Sequence, residues 1–115
     1  MYGVQSKLVK SMPAKKFKVF VEMQATLKLA NHAEFLSRVN NGAARRLFLE
    51  YEKALVFLRE TPEGCPIYIS EIQTNSELRY KMFGGRYRIV FAIDGQLVYV
   101  YDIQDCRQNF DKNFV

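Results

Sequence analysis

Residues 78–103 hold three runs of alternating residues broken by two glycine turns, LRYKMF, GG, RYRIVFAI, DG, QLVYVYDI. Glycine reaches the positive φ that tight hairpin loops need, and Asp-Gly between apolar runs is among the strongest short-range hairpin signals. The segment therefore predicts an antiparallel meander of strands 78–83, 86–93 and 96–103, one face of which must be covered.

The cover lies upstream. KFKVFVE (16–22) sets Phe17, Val19 and Val21 against Lys16, Lys18 and Phe20, and reads as a first strand. In MQATLKLANHAEFLSRVN, Met23, Leu27, Ala30, Ala33 or Leu36, and Val39 recur at three- and four-residue steps, which predicts an amphipathic helix. NNG (40–42) supplies a stop, with Gly42 as the cap or turn residue. A second helix is expected over 43–60, with Leu47, Tyr51, Ala54, Leu55 and Leu58 along one side. So short a connection predicts an antiparallel α-hairpin. Pro62, Gly64 and Pro66 end it, and 67–70 reads as a short strand before a loop. The expected fold class is α+β: an N-terminal strand and an α-hairpin packed on a twisted, mainly antiparallel β-sheet.

A chain of 115 residues suits one domain with a modest core, here 16–115 behind a flexible basic arm, 1–15. The 17 Lys and Arg outnumber the 12 Asp and Glu, a net charge of +5 that favours an anionic partner. Cys65 and Cys106 have neither disulfide-framework nor zinc spacing, and point to a reducing, cytoplasmic setting. No apolar run approaches a membrane span, and the start lacks the apolar stretch of a secretory signal. Asp102, Asp105 and Asp111 lack the spacing of a metal loop, so no metal or cofactor is expected.

If Gly84-Gly85 is a two-residue loop, Lys81 faces Arg88 and Arg79 faces Val90, while Leu78, Tyr80, Met82, Tyr87, Ile89, Phe91 and Ile93 form the core face. Carried across the Asp94-Gly95 turn, the same rule puts Tyr99 and Tyr101 beside the basic residues. Like charges directly opposite each other cost roughly 0.2–1 kcal/mol. A face bearing Arg79, Lys81, Arg86, Arg88, Tyr99 and Tyr101 therefore reads as a phosphate-binding surface, arginine forks meeting phosphate oxygens and tyrosines stacking on bases.

YKMFGGRYRIVFAIDGQLVYVYDIQDCR (80–107) resembles the C-terminal half of the RelE/ParE toxin superfamily of bacterial type II toxin–antitoxin systems. The resemblance, over roughly 16–110, implies the RelE-like microbial RNase fold and a cognate antitoxin. Its RelE-like branch implies ribosome-dependent cleavage of mRNA in the A site, and hence translation inhibition. Its ParE-like branch implies inhibition of DNA gyrase. Arg79 and Lys81 occupy the RelE-like basic pair before the turn, Arg88 the arginine of YR, and Arg107 the arginine after the last strand. These place the RelE-like branch first.

Cleavage by 2′-OH attack needs a base, stabilisation of the phosphorane charge and a proton for the leaving oxygen. Positive neighbours disfavour the charged form of a lysine and so leave its neutral amine available; Lys81, beside Arg79 and Arg88, is therefore the expected base, Arg88 and Arg107 stabilise the phosphate, and Arg79 positions the backbone. Arg86 and Tyr99 are expected to bind nucleic acid. The C-terminal Tyr or His of active relatives has no counterpart here, and Tyr101 is the expected substitute. His32, mid-helix, reads as an ordinary helix residue. The alternative is a gyrase inhibitor, or a decayed toxin fold that binds without chemistry.

Overall fold

The computed structural model of the chain describes residues 17–69 and 77–106. Along them run β1 (Lys18–Val21), α1 (Met23–Val39), α2 (Asn41–Glu60), a 3-10 turn (Pro62–Gly64), β2 (Arg79–Phe83), β3 (Tyr87–Asp94) and β4 (Leu97–Asp105). The four strands form one sheet in the order β1-β4-β3-β2, with β1 parallel to β4 and the other pairs antiparallel. The α-hairpin covers one face, so the α+β architecture expected from the sequence is the observed one.

Packing across the two layers centres on Phe91 and Ile89 of β3, Val98, Val100 and Ile103 of β4, and Leu58 of α2, all fully buried. Burying such a side chain contributes about 1.5–3 kcal/mol. α2 buries Leu47, Ala54 and Leu58, with Tyr51 and Leu55 at the margin, the stripe read from the sequence. α1 does not follow its expected stripe. It buries Ala25, Leu29 and Ala33, leaving Met23 71% and Val39 72% exposed. Both stripes have helical spacing. The short run from β1, with only Glu22 between, fixes which one meets the sheet, and two alanines let the helix lie close.

The helices meet at Asn40 alone. Its amide donates to the Leu36 carbonyl, closing α1, and its Oδ1 accepts from Gly42 N at 2.8 Å, opening α2. Gly42 is thus inside α2, and Asn40 does the capping expected of it, a contribution of about 1 kcal/mol.

The β2–β3 loop corrects the hairpin register. Phe83 pairs with Tyr87, so the loop is Gly84, Gly85 and Arg86, three residues and not two. Gly84 and Gly85 have φ of 63° and 82°. A slip of one residue reverses every side chain of a strand. Lys81 therefore lies opposite Ile89, Arg79 opposite Phe91, and Met82 opposite Arg88. What selects this register is Phe83. It is buried with ring centroids 5.7 Å from Tyr51 and 5.6 Å from Tyr87, whereas Met82 is left exposed.

Between β3 and β4 the face assignment holds, though the turn lies at Gly95-Gln96, between the paired Asp94 and Leu97. Tyr101 is an extra residue in β4, since Phe91 pairs with Val100 and Val90 with Asp102. This bulge returns Ile103 to the core. The strand expected at 67–70 is reduced, among the described residues, to a single bridge between Ile67 and Arg79. Tyr68 N donates to Leu78 O at 2.7 Å and Tyr80 N to Pro66 O at 3.0 Å, so this segment lines the outer edge of β2. No helix of the described residues is long and apolar enough to cross a membrane. The arm 1–15, Arg107 and Asp111 lie outside the described residues.

Candidate functional site

Because β2 is reversed, the expected basic cluster is divided between the two sides of the sheet. Arg79 and Lys81 lie on the helix side. Arg79 Nη1 donates to the carbonyl oxygens of Cys65 at 2.6 Å and Glu63 at 3.2 Å, tying β2 to the turn after α2. Lys81 Nζ sits 4.3 Å from the centroid of the Phe57 ring in α2. Arg88 is on the opposite face. The like-charge pairing expected between Lys81 and Arg88 is therefore absent, while Arg79 stays two residues from Lys81 on the same face.

Arg86 leaves the strands as the third loop residue, and its Nη2 donates to Asp105 Oδ2 at 2.8 Å. Burial disfavours its charge, but hydrogen bonds to Asp105 and Tyr87 more than offset that and hold the guanidinium above its ordinary pKa. The bond ties the loop to the end of β4 and fixes where the guanidinium stands.

The helix-free face is built differently from the expected one. Arg88 lies 4.9 Å from the ring centroid of Tyr68 and 5.7 Å from that of Tyr80. Its Nε donates to Gln104 Oε1 at 2.7 Å, and Gln104 Nε2 donates to Tyr68 OH at 3.2 Å. Across β4 and β1 runs a second series of rings. Tyr101 is 4.7 Å from Tyr99, and Tyr99 is 5.1 Å from Phe20. Tyr99 and Tyr101 therefore do share this face with Arg88, as the sequence predicted. Tyr68, Tyr80 and Phe20 join them without having been singled out. The signal for Tyr80 was the bulky Phe83 at the turn, which demands the core and sends Tyr80 outward.

The charge of this face is mixed. Lys18 and Arg88 stand on it with Glu22, Asp94 and Asp102, and Arg79 and Glu77 line a recess with Asp94, Tyr99 and Tyr101. Tyr99 OH donates to Glu22 Oε2 at 3.0 Å, and this bond raises the Tyr99 pKa above the usual tyrosine value. The phenol is thereby less ready to exchange a proton near neutral pH. Lys28 Nζ binds Asp102 Oδ1 at 2.7 Å. Asp102 and Asp105 are both held by cations, and among the described residues no group of metal-ligating side chains converges. His32 stands in α1 with its ring 5.2 Å from that of Tyr87 and Nε2 3.4 Å from Ile103 O, on the helix side of the sheet.

Residues 19–110 match the family described as ParE toxin of type II toxin–antitoxin system, parDE. The chain belongs to this family. It is thus the toxin component of a type II toxin–antitoxin system, whose partner is a cognate antitoxin. No curated protein matches the toxin. On its helix-free face the toxin carries aromatic rings and one clamped arginine, a surface suited to packing against another macromolecule.

Proposed function

We propose that this toxin acts by binding a protein target, DNA gyrase, and not by cutting mRNA. The observation that carries the reading is the three-residue Gly84-Gly85-Arg86 loop. Lys81 lies against Phe57 and Arg88 against Tyr68 on opposite faces, and this separation of two described candidates for 2′-OH attack supports a target that is bound and not cut. The match to a ParE family supports the same branch. The helix-free face adds further support. Aromatic rings with interspersed charges of both signs resemble the centre of a protein interface, where tyrosine and arginine are enriched. A polyanion-binding groove would instead carry a predominance of cations.

Two assays on the purified toxin test this directly. Gyrase supercoiling of relaxed plasmid is expected to be inhibited at low stoichiometric excess. Mapping of mRNA ends in a reconstituted translation reaction is expected to show no toxin-dependent cuts. Ribosome-dependent cuts with unimpaired supercoiling would overturn the reading and restore the mRNA endonuclease, with Arg88, Tyr99 and Tyr101 as the groups left to perform it.

A further inference from the structure

A second feature lies at the opposite end of the molecule from the β1 edge, where the α-hairpin bend meets the β2–β3 loop. The two border an open cavity of about 430 Å³. Leu36, Ala43 and Leu47 form its apolar wall, and the backbone of Gly84 and Gly85 closes another side. Two guanidinium groups line it from different elements, Arg46 of α2 and Arg86 of the loop.

The two arginines differ in what they offer. Arg86 is fixed by its bond to Asp105, so the pair adds little net charge, and its Nε is buried without a hydrogen-bond partner among the described residues. Glu50 also lines the cavity, and Lys53 Nζ takes its carboxylate at 3.4 Å. Arg46 is therefore the uncompensated charge, forming no ion pair among the described residues. Its Nη1 lies 3.2 Å from where a Cβ on Gly42 would stand, so glycine there leaves room for the guanidinium to rest against the start of α2. Cations are disfavoured at a helix N-terminus. This one is held there with no acid in the first turn to offset it.

We propose that this cavity is an oxyanion site that takes the phosphate group of a small phosphate monoester. Arg46 supplies the net charge and Arg86 a pre-positioned guanidinium. A carboxylate is satisfied by a single arginine fork. A tetrahedral phosphate takes donors from several directions, which is what two guanidiniums on separate elements beside a glycine backbone provide. The apolar wall leaves space for the organic part of the ester. The site is independent of the toxin's target.

The test is an NMR titration of the full-length, 15N-labelled toxin at constant ionic strength. Inorganic phosphate is the first probe, a nucleoside monophosphate the second and chloride the control. Saturable shifts at the amides of Ala43, Gly84 and Gly85 are expected with both phosphates and not with chloride, tighter for the monophosphate. Equal affinity for the two probes would overturn the assignment to an ester, leaving a site for free phosphate. Arg46→Gln, at an exposed position that leaves the fold intact, is expected to weaken binding about tenfold, the scale of one charge-assisted hydrogen bond. Arg59→Gln, outside the cavity, is expected to leave it unchanged. Non-saturating shifts, or equal binding by Arg46→Gln, would overturn the site altogether.

Discussion

Asp105 is the one charged side chain buried among the described residues, and Arg86 is one of the groups that meet it there. The loop residue turns inward to meet a carboxylate that ends β4, locking the last pair of the β3–β4 ladder. Replacing Asp105 by alanine strands a partly buried guanidinium, and the expected loss is about 1–3 kcal/mol. Urea denaturation should show the midpoint falling with an unchanged slope; an unchanged midpoint would mean the pair is structurally idle. Cys65 tests burial at a second residue. Burial pushes its thiol pKa up, and the opposing pull of Lys81 and Arg79 does not cancel the effect. A thiol so placed is mostly protonated and shielded at neutral pH, and inert as a nucleophile. Iodoacetamide under native conditions is expected to modify Cys106 and spare Cys65, as read by peptide mass spectrometry. Equal labelling of the two would contradict the packing described.

Among the elements, the β2–β3 loop decides the most. Gly85 has φ of 82° and open space where a Cβ would go, so Gly85→Ala meets backbone strain and nothing else. The expected cost is about 1–2 kcal/mol, the left-handed penalty for an L-residue. Gly64→Ala, at an equally open position without positive φ, is expected to lie within about 0.5 kcal/mol of wild type. A matched pair of denaturation curves separates the two; equal stabilities would mean that the positive φ of Gly85 costs an L-residue nothing. The same loop marks the limit of what the sequence disclosed. Helices, strands and their order were legible, since periods of 3.6 and 2 and the Asp94-Gly95 turn are local signals. Which face each element turned inward was not always local. In α1 two stripes compete, and the junction with β1 chose between them. In β2 the choice rested on whether Phe83 or Met82 entered the core, a matter of volume against Tyr51 and Tyr87. Tyr99, Tyr101 and Arg88 were legible as one face because the β3–β4 turn moves by an even step. Arg79 and Lys81 were not, because an odd step reverses them.

For the whole molecule, the two faces of the sheet make opposite demands on a set of variants, and growth inhibition on expression reads them together. If toxicity comes from the helix-free face meeting a protein, Tyr101→Ala removes an exposed ring from its aromatic series and should weaken inhibition of supercoiling roughly 30-fold, as for an interface hot spot. Arg88→Gln should act in the same direction, freeing Tyr68 and Gln104 from their clamp. Lys81→Met keeps the aliphatic packing over Phe57 and gives up a cation–π contact of about 0.5–1 kcal/mol, so toxicity should persist. An mRNA endonuclease built on Lys81 predicts the reverse ranking, with Lys81→Met harmless to the fold and fatal to activity. Thermal melting of each variant guards against misreading an unfolded protein as an inactive one. A stable Lys81→Met that has lost all toxicity would overturn the protein-binding reading, because that reading assigns the target to the helix-free face and Lys81 lies on the other side of the sheet.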